Sequence, residues 1–270
     1  RCRLVGSEMC IRDRLEWHAS QQHLWYGQYA RGFRAGGFND RIRADLADDY
    51  YGITAFDAET LDNIELGFKS RIIPNRWHAS GAIFTSDYQD MQLGSILPGT
   101  ARTVIQNAGE ARLSGLELSN QWLLGDGWYC DSHVGFLSTE YRELAPSVTA
   151  VTRESDFPRA PKWSYSLGLG RQWQAWHAYI AYGWKDRYRT VVADNDALEQ
   201  APVGIVNMSI THDYSKHWQW RAFITNATDQ HYWLSGLNLD AGKPMGVVQG
   251  EPARPREFGI TLKYVMGDGH

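Results

Sequence analysis

The chain has 270 residues and a formal net charge of −4, so it lacks the basic surplus that is typical of nucleic-acid-binding proteins. Its hydrophobic fraction is 43%, and no apolar run approaches the roughly 18 residues that a membrane-spanning helix requires. Both values are compatible with a membrane-spanning β-barrel, because each of its strands is only about 9–11 residues long and half polar.

The opening segment, residues 1–14, shows neither the alternation of a strand nor the stripe of a helix, and it does not resemble a signal peptide. It looks like a translated sequencing adapter, so we interpret it as non-native; a genuine disordered arm is the alternative. Cys2 and Cys10 fall in this segment, which leaves Cys130 without a partner for an internal disulfide. The chain also begins without a methionine, so we expect a piece of a longer protein.

From Leu24 onward, apolar and polar residues alternate in about ten runs, which predicts about ten β-strands. The clearest run spans Asn63 to Ile72, where apolar Ile64, Leu66 and Phe68 alternate with polar and charged residues. The predicted strands cover residues 24–33, 63–72, 77–88, 112–124, 128–139, 163–173, 176–187, 204–212, 218–226 and 256–264.

Short connections alternate strictly with long ones along the chain. A Greek-key sandwich has no reason for this alternation, whereas an outer-membrane barrel has short turns on its periplasmic side and long loops outside. The last predicted strand therefore runs towards the periplasm. The short connections are residues 73–76, 125–127, 174–175 and 213–217, and the long ones are about 34–62, 89–111, 140–162, 188–203 and 227–255.

Tryptophans flank every one of these short connections. Indole rings are amphipathic and settle at the depth of lipid headgroups, so this placement predicts an aromatic girdle at one membrane interface. Tryptophans that merely filled a core would lie in mid-strand instead. The flanking tryptophans are Trp77, Trp122, Trp128, Trp173, Trp176, Trp218 and Trp220, and a second girdle is expected at the opposite strand ends from Tyr88, Tyr141, Trp184 and Tyr188.

Large apolar side chains fall on one face of the predicted strands, and charged and histidine side chains fall on the other. A charge at the middle of the bilayer costs about 2–4 kcal/mol on a lipid-facing strand, so a membrane would enforce this sorting. We expect the apolar face to meet lipid and the polar face to line a lumen occupied by a plug. The lumen-facing or plug-facing candidates are Glu65, Lys69, Arg71, Glu117, His133, His177 and Arg221.

Several segments resemble motifs of TonB-dependent outer-membrane receptors, and they follow the family's order over residues 24–264. Each motif is short, but their order and their positions on the predicted strands agree. The segments are Tyr29 to Asn39 (YARGFRAGGFN), Asn63 to Lys69 (NIELGFK), Phe84 to Gln92 (FTSDYQDMQ), Asn107 to Ala111 with Gly115 to Glu117 (NAGEA and GLE), Asn226 to Asp229 (NATD) and Phe258 to Tyr264. The family usually ends on the final aromatic residue, whereas residues 265–270 follow it here.

The resemblance implies an all-β, antiparallel up-and-down transmembrane β-barrel in the outer membrane of a Gram-negative bacterium. The family's barrel has about 22 strands around an N-terminal plug domain. Residues 15–270 would then be the barrel's C-terminal half, with about ten strands and without the plug. The implied function is active uptake of a scarce ligand such as a ferric siderophore, cobalamin or an oligosaccharide. Implied partners are outer-membrane lipid, the plug, and the TonB–ExbB–ExbD complex, which binds an N-terminal box missing from this chain.

No catalytic or metal-ligating constellation stands out, so we predict that the chain is not an enzyme and needs no cofactor. Arginines at the outer strand ends and loops are the ligand-binding candidates, because guanidinium groups bind oxyanions well; ordinary solvated charge is the competing interpretation. The candidates are Arg31, Arg34, Arg41, Arg43, Arg102, Arg153 and Arg159.

Two alternatives of other classes stay open. One is a complete small barrel that acts as an outer-membrane protease, which requires the strand at 24–33 to pair with the strand at 256–264. The other is a passive porin, which requires a constriction loop folded inward.

Overall fold

The computed structural model describes residues 11–39, 55–96, 103–107, 109–145, 148, 151–192, 196–238 and 247–266. Regular structure in these residues is almost entirely β, apart from one turn of 3-10 helix at Asp196–Leu198. Within the described ranges, no helix is both long enough and apolar enough to cross a membrane.

The strands fall into two groups, a large sheet and short ribbons. In chain order they are β1 (Ile11–His18), β2 (His23–Arg34), β3 (Gly37–Phe38), β4 (Ala55–Phe56), β5 (Glu59–Ile73), β6 (Trp77–Gln89), β7 (Gln92–Ile96), β8 (Thr103–Asn107), β9 (Gly109–Gly125), β10 (Trp128–Leu144), β11 (Trp163–Trp173), β12 (Trp176–Lys185), β13 (Tyr188–Arg189), β14 (Glu199–Gln200), β15 (Val203–Asp213), β16 (Trp218–Thr225), β17 (Trp233–Asn238), β18 (Val248–Pro252) and β19 (Glu257–Tyr264).

One antiparallel sheet of 11 strands carries the fold, in the order β1-β2-β5-β6-β9-β10-β11-β12-β15-β16-β19. The other strands form two-stranded ribbons inside the long connections. This arrangement confirms the predicted up-and-down topology. The sheet is not closed: β2 pairs with β1 on one side and β5 on the other, so it has no free edge for β19. The pairing that a complete small barrel would require is therefore not formed.

All the predicted strands are present, most of them within a few residues of the expected bounds. An eleventh sheet strand, β1, lies outside the predicted set because it begins inside the segment at 1–14. It follows the same rules as the others, since Leu15 and Trp17 share a face and Trp17 pairs with Trp25 across a short turn. The non-native origin of residues 1–14 stays a prediction.

The register gives the sheet one apolar and one polar face from edge to edge. Residues that pair across adjacent strands share a face, and large apolar side chains pair with one another across most of the sheet. Many of them remain uncovered: Leu66 is 57% exposed, Leu167 53% and Ile260 75%. Soluble proteins rarely expose so large a continuous apolar patch, so this face requires an apolar partner. One such row comprises Cys130, Leu169, Ile180, Met208, Ile224 and Phe258.

The short-turn end of the apolar face carries the predicted tryptophan girdle. The Trp77 and Trp122 rings stack with their centroids 5.5 Å apart, and the Trp176 ring meets the edge of Trp220 at 5.4 Å. At the last pair of strands, the ring of Trp218 lies 4.7 Å from that of Tyr264. The aromatic residues at the turns therefore form contacting groups on a single face, as an interfacial girdle would.

Charged residues bound the apolar face at its other end. Trp77 and Asp87 lie at opposite ends of β6, and about ten residues of strand span roughly 33 Å. A strand tilt of about 40° reduces this span to about 25 Å, which is the height of the apolar band in outer-membrane barrels. The row of paired charged residues comprises Arg31, Asp62, Asp87, Arg112 and Glu140.

The predicted second girdle is wrong for two of its members. Tyr88 and Tyr141 both pair with Ala111 on the polar face. Tyr141 is only 1% exposed, and its ring lies 4.3 Å from that of Phe157. These tyrosines are near the correct strand end but have the parity of the polar face, which explains the error. Trp184, in contrast, does lie on the apolar face, paired with Tyr165.

A small core forms where the long loops fold onto the polar face. Its members come from strands β9 and β10, from the β7–β8 ribbon and from the segment at 148–157 that follows β10. The ordered loop residues thus cover the polar face at the long-loop end and leave the apolar face open. The buried members are Leu93, Ala111, Tyr141, Val148, Val151 and Phe157.

Glycines on the polar face make room for aromatic rings from neighbouring strands. A Cβ built on Gly168 would overlap the Tyr179 hydroxyl, and one built on Gly170 would overlap the ring of Tyr129. These rings therefore lie flat across β11, where any larger residue would displace them. The small residues that alternate with leucine in this strand serve packing on the polar face.

Candidate functional site on the polar face and at the long-loop end

The residues predicted to face the lumen all lie on the polar face. His133 pairs with Ser119 and Ser166, and Arg221 pairs with threonines on both sides. Glu65 accepts a hydrogen bond of 2.7 Å from the Tyr26 hydroxyl. That this face meets a lumen and a plug stays a prediction. The full set is Glu65, Lys69, Arg71, Glu117, His133, His177 and Arg221.

A basic hollow of about 460 Å³ opens on the polar face near the short turns. Lys69 and Arg71 line it together with His78 and His133. His133 Nδ1 lies 2.8 Å from the Ser119 hydroxyl, which fixes the orientation of the imidazole. Two cations and nearby imidazoles make this hollow suited to an acidic side chain.

Histidines at the β1–β2 turn add to this hollow. His18 and His23 both line it, and His23 Nδ1 lies 2.5 Å from the Ser70 hydroxyl. In the part of the chain that the structure describes, no group of three or more His, Cys, Asp or Glu side chains is arranged to hold a metal ion.

A second hollow of about 410 Å³ lies closer to the long loops and shares His133 with the first. It combines a cation, Lys185, with the serine hydroxyls of β11 and with the loop tyrosines Tyr188 and Tyr232. Burial raises the pKa of Tyr188. Its hydroxyl donates to the Trp233 carbonyl oxygen at 3.3 Å. This mixture of one positive charge and several hydroxyls can bind a polar, oxygen-rich ligand.

His177 belongs to a cluster rather than standing free in solvent. Its Nε2 lies 2.5 Å from the Tyr129 hydroxyl, and the two rings stack at 5.8 Å. Tyr129 in turn stacks on Tyr179, whose hydroxyl donates to Asp131 Oδ1 at 2.9 Å. Sequence reasoning missed this cluster as a unit, although the shared parity of its four members is the signal that identifies it.

Only some of the predicted ligand arginines fall in the described residues; Arg41, Arg43 and Arg102 lie outside them. Arg31 faces away from the polar side, because it pairs with Asp62 on the parity of the apolar face. Its Nε lies 3.7 Å from Asp62 Oδ1, and the same oxygen accepts a hydrogen bond of 2.6 Å from Tyr29. Arg31 therefore forms an ion pair with Asp62 at the outer rim of the sheet.

The other described candidates occupy loop and strand-end positions. Arg34 is the last residue of β2 and is exposed. Arg153 and Arg159 lie on the segment that Phe157 anchors to the polar face, and both are exposed. The Arg159 amide donates to the Arg189 carbonyl oxygen at 2.7 Å, which fixes the backbone at this point. These two arginines are therefore held on an ordered loop over the polar side.

Three amides from the recognised motifs tie the first two long loops together. Asn39 exchanges two hydrogen bonds of 2.8 Å with the backbone of Ile105. Gln92 is 6% exposed and donates to the Asp57 carbonyl oxygen at 3.0 Å. Asn107 contacts both the carbonyl oxygen and the amide of Asp57, at 3.0 and 2.7 Å. These motif residues therefore stabilise loop backbone.

Asn226 does the same for the last long connection. It is 5% exposed, and its side chain donates to the Gln230 carbonyl oxygen at 2.9 Å and accepts from the Gln230 amide at 2.8 Å. Asp229 accepts a hydrogen bond of 2.8 Å from the Arg256 amide. The NATD segment thus closes a turn and fixes the entry to β19.

Known proteins share this architecture. Residues 14–227 match the family described as TonB dependent receptor-like, β-barrel. The ferric yersiniabactin uptake receptor FyuA from Yersinia pestis superimposes over 94% of this chain with a TM-score of 0.75 and 19% identity. The siderophore receptor PiuA from Acinetobacter baumannii does so over 94% with 0.72 and 18%, and the copper transporter OprC over 93% with 0.69 and 17%. The chain spans only 36%, 35% and 38% of their respective lengths.

Proposed function

The chain belongs to the TonB-dependent receptor-like β-barrel family, and we propose that it forms part of an outer-membrane receptor that imports a scarce ligand with energy delivered through TonB. The observation that carries this proposal is the two-faced open sheet. Its apolar face is bounded by tryptophans and charges at a separation that suits a bilayer, while its polar face is covered by loops at one end only.

The geometry of the sheet argues against the complete small barrel. A complete small barrel would need β2 and β19 to pair, but both edges of β2 are occupied. Loop residues pack over the polar face at the long-loop end, which an inward-folded porin loop would also do, so the dependence of uptake on TonB is what separates the porin from the receptor. The family consists of transport receptors, which fits the prediction that the chain is not an enzyme.

We propose a ferric siderophore as the ligand, bound at the long-loop end. One solved neighbour is described as a ferric yersiniabactin uptake receptor, another as a siderophore receptor and a third as a copper transporter. Among the described residues, Arg153 and Arg159 on the anchored loop are the best placed of the predicted arginines. The hollow that contains Lys185, Tyr188 and Tyr232 adds a cation and hydroxyls, and the backbone of Arg159 binds Arg189, the neighbour of Tyr188.

Further partners follow from this proposal. The polar face, with its basic hollow near the short turns, is suited to an acidic surface of a plug domain. The TonB–ExbB–ExbD complex would act on that plug rather than on the strands described here. Outer-membrane lipid would cover the apolar face.

Uptake in cells tests the proposal directly. We expect deletion of the gene to abolish accumulation of one labelled ferric siderophore from a panel of hydroxamates, catecholates and phenolates. Deletion of tonB should have the same effect, because the proposed transport depends on that energy source. Retained uptake in the tonB strain, with loss in the gene deletion, would instead identify a passive channel and overturn the proposal.

A further inference from the structure

Arg171 is a cation on the apolar face of the sheet, near its short-turn end. The register pairs it with Trp128 on one side and Ala178 on the other, so it shares the face of Leu169 and Trp173. No other Asp, Glu, Lys or Arg of the described sheet strands has the apolar parity at this end. A cation at this position requires contacts that stabilise its charge, because its neighbours are apolar and aromatic.

Two tryptophans hold the guanidinium group. The Arg171 Cζ atom lies 5.1 Å from the centroid of the Trp128 ring and 5.7 Å from that of Trp173. In cation–π contacts of this kind, the electron-rich ring faces attract and stabilise the positive charge. They leave the N–H donors unused, because those donors lie in the plane of the guanidinium group.

Among the residues that the structure describes, Arg171 forms no salt bridge and its guanidinium group donates no hydrogen bond. Five N–H donors are thus available at the level of the tryptophan girdle. In a membrane, that level is where lipid phosphates lie. Arginine binds phosphate with two parallel hydrogen bonds, so the charge and the geometry are complementary to a lipid headgroup.

A groove of about 450 Å³ runs from Arg171 along the apolar face. Leu169, Ile180 and Met208 line it, and they are 39%, 41% and 42% exposed. The groove therefore continues from the cation towards the middle of the apolar band. An elongated hydrocarbon chain fits such a groove, which gives one site for a phosphate and its acyl tail.

We propose that Arg171, Trp128 and Trp173 form a binding site for an anionic phospholipid in the leaflet at the short-turn end. The phosphate accepts hydrogen bonds from the guanidinium group, the two indoles hold that group in place, and an acyl chain lies along the groove. This inference rests on the proposed outer-membrane location, but it assigns a ligand that is separate from the transported one.

Native mass spectrometry of the full-length receptor, extracted from outer membranes and exchanged into phosphatidylglycerol and phosphatidylethanolamine, tests the site. We expect the wild-type protein to retain phosphatidylglycerol through mild delipidation, and Arg171→Gln to retain about tenfold less, since one charged hydrogen-bonded contact is lost. Arg171→Lys keeps the charge but loses the planar fork, so its retention should be intermediate.

Lys263→Gln is the control, because it removes one positive charge from the polar face at the same short-turn end, where Lys263 pairs with Gln219. It should retain phosphatidylglycerol as the wild type does. Equal retention by Arg171→Gln and the wild type would overturn the inference, and so would equal retention of the two lipids by the wild type. The wild-type comparison needs no variant, so it can overturn the inference even if Arg171→Gln does not fold, and Arg171→Lys then tests whether the lipid binds at Arg171.

Uptake measured in the same strains separates this inference from the proposed function. If the wild-type strain showed no TonB-dependent uptake while its receptor still retained phosphatidylglycerol, the proposed function alone would be contradicted. Normal TonB-dependent uptake with no lipid preference would contradict the lipid site alone.

Discussion

The two ends of the sheet are held together by different interactions. At the short-turn end, aromatic rings meet across adjacent strands, as Trp176 meets Trp220 at 5.4 Å. At the long-loop end, side-chain amides bind backbone groups that are far away in sequence, as Gln92 binds Asp57. The first kind of contact depends only on strand register, whereas the second depends on how whole loops fold.

This difference follows from the lengths of the connections. A turn of a few residues leaves few backbone groups without partners, so the strand ends need only side-chain packing. A long connection contains many N–H and C=O groups, and those that become buried must find partners. Asn39, Gln92, Asn107 and Asn226 supply these partners, and each belongs to a motif that was recognised in the sequence.

The largest effect is expected in the apolar band between the two ends. Leu167 lies on the apolar face of β11 and is 53% exposed. If this face meets lipid, Leu167→Arg should lower the free energy of unfolding of the vesicle-inserted protein by about 2–4 kcal/mol. Urea titration of vesicle-reconstituted protein measures this quantity.

The adjacent Ser166 provides the control, because it lies on the polar face and pairs with Gly183. Space is available there, since a Cβ built on Gly183 would meet no atom within 4 Å. We expect Ser166→Arg to cost much less than Leu167→Arg. Equal costs for the two substitutions would mean that the faces are assigned incorrectly.

A smaller and more local effect is expected at the long-loop end. Gln92→Ala removes donors to the Ala35 and Asp57 carbonyl oxygens, both at 3.0 Å, in a buried setting. Each buried group left without a partner costs about 1–3 kcal/mol. The first long connection should therefore open more often, and its hydrogen exchange should accelerate at least about tenfold, while the sheet remains folded.

Gln89→Ala is the matched control, because Gln89 is exposed at the end of β6. It should leave hydrogen exchange in the first long connection unchanged. If Gln92→Ala also left it unchanged, amide contacts would not hold the two loops together, and the contrast between the two ends would fail.

The strands and their faces could be predicted from the sequence because both depend on period-2 alternation alone. The alternation of Leu66 with Glu65 is visible without any structure, and the register then extends the two faces across the sheet. The girdle could also be predicted, because its tryptophans flank short turns whose positions are visible between the alternating runs. The prediction for Tyr141 is wrong because distance from the turn alone does not determine the face on which a side chain lies.

The candidate site was less predictable, because its residues meet through loops. The position of Arg31 at a strand end predicts a ligand contact, but its parity directs it towards Asp62 on the outer rim. Lys185 has the parity of the polar face, whereas Tyr232 lies in a long connection that has no periodic signal. Only the folded loops bring these two residues to the same hollow.

The smallest effect is expected from ring contacts within the girdle. Trp176 contacts Trp173, Trp220 and His212, with centroids 6.3, 5.4 and 4.2 Å away. Trp17 lies on the same face at the same end and is 67% exposed, and it forms no ring contact with another described residue. Both indoles would meet lipid headgroups, but only Trp176 has aromatic partners.

Comparison of Trp176→Ala with Trp17→Ala therefore isolates the contacts between rings. We expect Trp176→Ala to lower the free energy of unfolding in vesicles by about 0.5–1.5 kcal/mol more than Trp17→Ala does, which is the usual contribution of an aromatic pair beyond burial. Equal losses would show that each tryptophan acts only through its contact with lipid. The short-turn end would then be held by the membrane, and the long-loop end by its own hydrogen bonds.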